Sequence, residues 1–174
     1  MGCGASRIQR EELKANISRD RALKLQAEGK YEEAEPLMRR SLEFYSRYSA
    51  HVGSQHTSTI GSANNLALIL RDQGKFAEAE PLMREALKAD EANRGEKNHP
   101  ATLLSIQNLA EVLQAQGKLD EAKPLLWRLV TGCEAEFGEE HASTLTAVNQ
   151  LATLLVKMGN AEEAKPLLWK TELL

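Results

Sequence analysis

Aromatic side chains are scarce in this chain, 5% of 174 residues. Its interior must therefore be built mostly from Leu, Ala, Ile and Met, a set that suits closely packed helices. Cysteine is nearly absent too. Cys3 and Cys133 are the two present, one at the extreme N-terminus and one inside a predicted helix, which rules out a disulfide framework. No apolar run approaches the ~18 residues needed to span a bilayer, and no signal-peptide core is present, so the chain is expected to be made in, and to stay in, a reducing compartment. Catalytic signatures are missing as well: there is no G-x-G-x-x-G, no Walker loop and no H-E-x-x-H. The expected reading is a protein without enzymatic activity, cofactor or metal. A net charge of −3 excludes general affinity for nucleic acid. The charge is uneven, however: residues 1–30 carry +3 and the remainder −6.

Against this sparse background one pattern recurs. The stretch G-K-Y-E-E-A-E-P-L-M at Gly29–Met38 returns as G-K-F-A-E-A-E-P-L-M at Gly74–Met83, as G-K-L-D-E-A-K-P-L-L at Gly117–Leu126 and as G-N-A-E-E-A-K-P-L-L at Gly159–Leu168. The glycines lie 45, 43 and 42 residues apart. Self-similarity at such a period marks stacked repeats, each unable to bury its apolar face alone. Each repeat reads as two helices, because apolar residues recur at helical spacing on both sides of the glycine. Ile60, Ala63, Leu66, Ala67, Ile69 and Leu70 precede Gly74; Ala79, Leu82, Met83, Ala86 and Leu87 follow it. The pattern predicts helices over 10–28 and 31–48, 57–73 and 76–94, 101–116 and 119–136, and 142–158 and 161–173. Each glycine stands where a left-handed C-cap is wanted. Pro36, Pro81, Pro124 and Pro166 share one phase about a turn into each second helix, which reads as a helix start, where a missing N–H has no partner to lose.

The linkers are alike: G-S-Q-H-T-S-T, G-E-K-N-H-P-A-T and G-E-E-H-A-S-T. Each has a histidine (His56, His99, His141) just before the next helix. Three histidines invite a metal reading. They lie one repeat apart, though, and helices pack ~8–10 Å from one another, too far for three to share an ion. No Cys/His/Asp cluster accompanies them, so the expected role is to close the turn and cap the following helix. Pro100 falls at a plausible first helical position.

The phrases N-N-L-A-L-I-L-R-D-Q-G-K-F-A-E-A-E-P-L-M-R-E-A-L (Asn64–Leu87) and Q-N-L-A-E-V-L-Q-A-Q-G-K-L-D-E-A-K-P-L-L (Gln107–Leu126) resemble the tetratricopeptide repeat. The match is to the 42-residue kind found in kinesin light chains and nephrocystin-3-like proteins. The resemblance covers about residues 12–172. Its small positions are met by Ala22, Ala67, Ala110 and Ala152 in first helices, and by Ala34, Ala79, Ala122 and Ala164 in second helices. Its large positions are met by Leu25, Leu70, Leu113 and Leu155, and by Met38, Met83, Leu126 and Leu168. The resemblance implies an all-α, right-handed α-solenoid of about four helix-turn-helix repeats, near 11–48, 57–94, 100–136 and 142–173. Residues 1–10 are expected to be flexible. Arg21 departs from the Leu of later repeats (Leu66, Leu109, Leu151), so the first repeat reads as a degenerate cap. No polar capping helix follows the fourth repeat. Trp169, Leu173 and Leu174 are therefore expected to be exposed and to invite self-association. The coiled coil that precedes these repeats in kinesin light chains is not in the sequence.

In such repeats the first helices line a groove that binds a peptide or partner protein. Carried over position by position, the groove would show Arg19, Leu23 and Gln26; Asn64, Leu68 and Arg71; Gln107, Glu111 and Gln114; and Asn149, Thr153 and Lys157. Asn and Gln each donate and accept, so Asn64, Gln107 and Asn149, at one phase, could form a ladder for an extended segment. The carboxylate clamp of chaperone-binding members is not matched, since Leu23, Leu68, Glu111 and Thr153 occupy its positions. Arg19, Arg71 and Lys157 point instead to an acidic or acidic-aromatic peptide. Trp127 and Trp169, at the phase of Arg39 and Arg84, read as outward-facing, either a second contact surface or rings laid over the adjacent linker.

The N-terminus, M-G-C-G-A-S-R, fits N-myristoylation at Gly2, with Cys3 placed for palmitoylation. Arg7, Arg10 and Lys14 would add attraction to anionic lipid. The expected role is thus an interaction adaptor tethered to a cytoplasmic membrane face. The alternatives are a soluble cargo or assembly adaptor without lipid and, more remotely, an enzyme of unrecognised type.

Overall fold

Eight helices follow one another among the described residues: α1 (Gly2–Ala27), α2 (Tyr31–Tyr48), α3 (Gln55–Asp72), α4 (Phe76–Arg94), α5 (Pro100–Ala115), α6 (Leu119–Phe137), α7 (Ala142–Lys157) and α8 (Ala161–Glu172). The structure is a computed structural model; it describes residues 2–48, 55–94 and 98–172, with side chains over 7–47, 58–92 and 98–168. They form two compact units, Met1–Ala86 and Leu87–Leu174. In the first, α1 packs on α2 and α2 on α3; in the second, α5 packs on α6, α6 on α7 and α7 on α8. This is the all-α repeat architecture the periodicity implies.

The repeat unit closes the same way four times. Gly29, Gly74, Gly117 and Gly159 all have φ between +74° and +80°, a region that L side chains adopt only at a cost. Around each, two backbone bonds close the helix end: Gly74 N–H donates to Arg71 O and Lys75 N–H to Leu70 O, both at 2.8 Å. The same pair recurs at Gly29, Gly117 and Gly159. This is the Schellman arrangement, and the sequence pattern placed its glycine correctly in every repeat.

The small positions explain how the paired helices approach. All eight alanines named above are buried, as are Leu25, Leu70, Leu113, Leu155, Met38, Met83 and Leu126. Leu168 breaks the series: it is 37% exposed, because its helix, α8, packs on α7 while α2 and α6 are each sandwiched between two helices. Leu173 and Leu174 lie outside the described residues.

Two further expectations change, and one is met. Each proline is the sixth residue of its helix, beyond the four N-terminal amides that lack an intrahelical partner. Each therefore removes one i→i−4 bond within a continuing helix and does not mark a start. Next, α1 begins at Gly2, eight residues ahead of the expected start, and runs through the segment read as flexible. Nothing in G-A-S-R-I-Q-R stops a helix, since it contains no proline and only one glycine. Finally, Arg21 is exposed where Leu66, Leu109 and Leu151 are buried, which gives the first helix the open outer face expected of a cap.

Candidate functional site

Two of the three linker histidines cap the helix that follows, whereas His56 is the second residue of α3, inside the helix it was expected to precede. His99 Nδ1 accepts from Ala101 N–H, and His141 Nδ1 from Ser143 N–H, both at 3.2 Å. Each is the N-cap of the helix that follows, with Pro100 at the first position of α5. The ring of His141 also stacks on Phe137, centroids 4.9 Å apart, and Thr144 Oγ1 ties the linker by donating to Gly138 O. The side chain of His56 lies outside the described residues. Among the described residues no three His, Cys, Asp or Glu side chains come together as a metal site. Cys133 is a buried free thiol, and burial raises its pKa, which keeps it protonated and unreactive.

The first-helix faces are the remaining candidate, and each unit presents its own. In the first unit the predicted residues are Arg19, Leu23 and Gln26 on α1 and Asn64, Leu68 and Arg71 on α3. They stand at the surface, half-buried for the most part, with Leu23 exposed. Both arginines are engaged by acids next to them in sequence: Arg19 by Asp20 at 3.2 Å and Arg71 by Asp72 at 3.0 Å. Asp72 also accepts from Gln26 Nε2 at 3.2 Å, a bond that joins α1 to α3. A depression of about 320 Å³ lies between these helices, lined by Arg19, Ser58, Gly61, Ser62 and Asn65.

In the second unit, the predicted residues are Gln107, Glu111 and Gln114 on α5, all half-buried, and Asn149, Thr153 and Lys157 on α7, all exposed. Glu111 Oε1 is a junction, accepting from Gln107 Nε2 at 3.1 Å and from Gln150 Nε2 at 3.2 Å. Gln150 was not singled out from the sequence; its amide ties α7 to α5, and its Oε1 is buried without a partner. Counting from the buried alanine of each first helix, the residue at the phase of Gln26, Arg71 and Gln114 is Val156, one residue before Lys157. Val156 is 54% exposed, and Leu104, one turn before Gln107 on α5, is 55% exposed. Val156 escaped the sequence reading because Lys157 was assigned its position, and Leu104 because it lies one turn ahead of the residues assigned to the groove. Their exposure is unusual for residues of their size, and it marks this face as amphipathic, not simply polar.

Trp127 faces outward as expected, 39% exposed on α6, and its phase-mates Arg39 and Arg84 carry exposed side chains. The side chains of Trp169, Gly2 and Cys3 lie outside the described residues; Gly2 and Cys3 occupy the first turn of α1. No described helix is long and apolar enough to cross a membrane.

Comparison with known proteins matches this geometry. A family model described as tetratricopeptide repeat matches residues 13–92, 58–126 and 100–168 in three overlapping passes. Among solved structures, the nearly identical TPR-like repeats of a Podosopora anserina protein described as a kinesin light chain superpose with a TM-score of 0.75 at 27% identity, covering 90% of this chain and 72% of that one. BtubC (BKLC) from P. vanneervenii superposes with a TM-score of 0.71 at 19% identity, covering 94% and 72%. The Rap conjugation gene regulator of plasmid pLS20, in complex with the Phr* peptide, superposes with a TM-score of 0.62 at 16% identity, covering 92% and 41%. A search of curated proteins found no sequence match.

Proposed function

The chain belongs to the tetratricopeptide-repeat family, and from that premise we propose that it is a non-catalytic adaptor. Its first-helix faces hold a peptide or partner protein, and its N-terminus tethers it to the cytoplasmic face of a membrane through acylation of Gly2 and Cys3. The observation that carries the binding role is the second unit's face, where Leu104 and Val156 are exposed on α5 and α7, the helices joined by the Gln107–Glu111–Gln150 relay. Aliphatic contacts beside amide groups suit an extended segment, with side chains gripped by the apolar spots and backbone by the amides. The same fold carries a bound peptide in the Rap regulator.

The charge of the ligand follows from the pairs already made. Arg19 and Arg71 spend much of their charge on Asp20 and Asp72, and the second unit centres on a carboxylate. An uncharged or mildly basic segment therefore fits the second unit better than the acidic peptide suggested by counting cations. A peptide-display selection against the chain tests this. Enriched sequences should lose at least about tenfold in affinity on Leu104→Asp or Asn149→Ala, the ~1.4 kcal/mol that one lost contact typically costs. Failure to enrich any peptide, or binding indifferent to both changes, sinks the groove.

The tether rests on the N-terminal pattern alone. Intact mass of protein from eukaryotic cells should show loss of Met1, gain of a myristoyl group and a hydroxylamine-labile palmitoyl, and Gly2→Ala should move the protein to the soluble fraction. An unmodified N-terminus leaves a soluble adaptor. Exposure of Leu168 favours self-association through the fourth repeat as a secondary property, to be read from concentration-dependent sedimentation.

A further inference from the structure

We propose that the outer face of α1 is itself a binding surface for anionic lipid, independent of any acyl chain. This deepens the membrane-tether reading, and the experiment below separates the two.

Ile17, Arg21 and Lys24 carry the argument, because their counterparts in the other repeats are buried. Counting from the buried alanine of each first helix, α3 places Ser62, Leu66 and Ile69 at these positions, α5 places Ser105, Leu109 and Val112, and α7 places Ala147, Leu151 and Leu154. All nine are buried. Within the units this is a packing face: Ser62 of α3 lies 3.5 Å from Ser41 of α2, and Ser105 Oγ of α5 donates to Asp90 of α4 at 2.7 Å. On α1 the same face is open. Ile17 is 59% exposed, Leu13 one turn before it is 60% exposed, and Arg21 and Lys24 are exposed.

The cations decide what covers this face. Another helical repeat, from a second copy or elsewhere, would need aliphatic residues where Arg21 and Lys24 stand. Burying two unpaired cations costs more than their contacts return. A lipid headgroup layer has the opposite preference: it takes aliphatic side chains into the acyl boundary and cations at the phosphate level. The placement on α1 fits that demand. At 3.6 residues per turn, Leu13, Lys24, Ile17, Arg10 and Arg21 fall within an arc of about 80°. Arg7 and Lys14 extend it on one side. Asp20, at one edge of the arc, is held by Arg19 at 3.2 Å, and Glu28, one turn past Lys24, is held by Lys30 at 2.9 Å. Glu11 is occupied by Lys14 at 2.7 Å. Among the described residues Arg10, Arg21 and Lys24 form no direct ion pair; Lys24 also helps Lys30 to lower the pKa of Glu28, so Arg10 and Arg21 are the cations most open to an external anion. A separate stripe of α1, with Ala15, Ser18, Ala22 and Leu25 buried, packs on α2 and leaves this arc exposed. The same helix begins at Gly2, so an acyl group there would deliver this arc to the membrane.

The test uses the full chain produced without acylation and vesicles of phosphatidylcholine, with and without phosphatidylserine. Co-sedimentation should show binding to the phosphatidylserine vesicles that weakens with added salt. The triple change Arg10→Glu, Arg21→Glu, Lys24→Glu should lower partitioning about 100-fold, from the loss of three surface cations. Leu13→Ser with Ile17→Ser should lower it about tenfold. Lys88→Glu, on an exposed position of α4, should leave it within about twofold. All the altered side chains are exposed, so unchanged circular dichroism confirms folding. Equal partitioning into both vesicles, or indifference to the triple change, overturns the proposal. So does a dimer in sedimentation that the triple change dissolves without any vesicle binding, since the face would then belong to a second copy. Because the protein in this test carries no acyl group, failure here leaves the Gly2 reading standing, and an unmodified Gly2 leaves this one standing.

Discussion

The two units share one scaffold and present different faces. Buried alanines, leucines and a left-handed glycine recur in both at the same phases, so the framework is written into the repeat. What varies is what the first helices show. The first unit displays cations held by neighbouring acids, with Gln26 and Asp72 joining its helices. The second displays neutral amides around Glu111, with Leu104 and Val156 exposed on the same two helices. Scaffold positions are constrained by packing, because a helix pair closes only when small residues meet, whereas face positions meet solvent and are free to specialise. In such a fold, function is to be sought where the repeats differ.

The firmest way to break this comparison is to strike the shared framework. Leu70→Ala and Leu113→Ala remove fully buried side chains at one phase in the two units. Each should cost about 3 kcal/mol, within the range for emptied leucine sites, and thermal melts should show similar losses. A loss confined to one unit would mean the framework is not equivalent after all. A smaller effect is expected at the linkers. His99→Ala and His141→Ala each remove an N-cap acceptor and should cost about 1 kcal/mol. His141→Ala should cost somewhat more, since its ring also stacks on Phe137. Equal stability to the parent in denaturant titration would show that solvent caps these helices as well as imidazole does.

The framework was legible from sequence because it is periodic: four copies of one glycine, one proline and two alanine positions average out local ambiguity. Gly74 and its phase-mates could be assigned a left-handed cap from position alone. The faces were less legible. Leu104 stands where the other repeats have Asn16, Gly61 and Thr146, and Val156 where they have Gln26, Arg71 and Gln114, so the pattern gave no reason to expect aliphatic contacts there. Lys157 was placed one residue out of register, since Asn149 and Thr153 of the same helix are in phase and Val156 holds the position of Gln26, Arg71 and Gln114. Gln150 was missed because its role depends on a contact to Glu111, 39 residues away, which no local pattern encodes. The prolines misled in the opposite sense: their regular phase was right, but their depth in the helix depends on where the helix starts, the least certain feature of any periodic reading.

The finest contrast between the units is electrostatic. In the first, Glu35 bridges to the neighbouring repeat, accepting from Lys75 at 2.7 Å and from Arg39 at 2.9 Å, while Arg39 also reaches Glu78 at 2.6 Å. At the same phase the second unit carries Lys123, which meets Glu163 at 2.8 Å, so the polarity of the bridge is reversed. The Lys75 ammonium, seconded by Arg39, holds the Glu35 carboxyl below its usual value of 4.5 despite partial burial. A carboxylate whose folded pKa is depressed contributes stability above its unfolded pKa and loses it as pH falls through the folded one. The contribution of Glu35 is thus complete above about pH 5 and fades below 4.5. Because the partners are largely at the surface, its size should be about 0.5 kcal/mol. Glu35→Gln should lower stability by that amount at pH 7 and by almost nothing at pH 3, so the two stability–pH curves converge on acidification. Curves that stay parallel would show that Glu35 acts through packing against the next repeat, and that the reversed bridge in the second unit is an electrostatic difference without an energetic one.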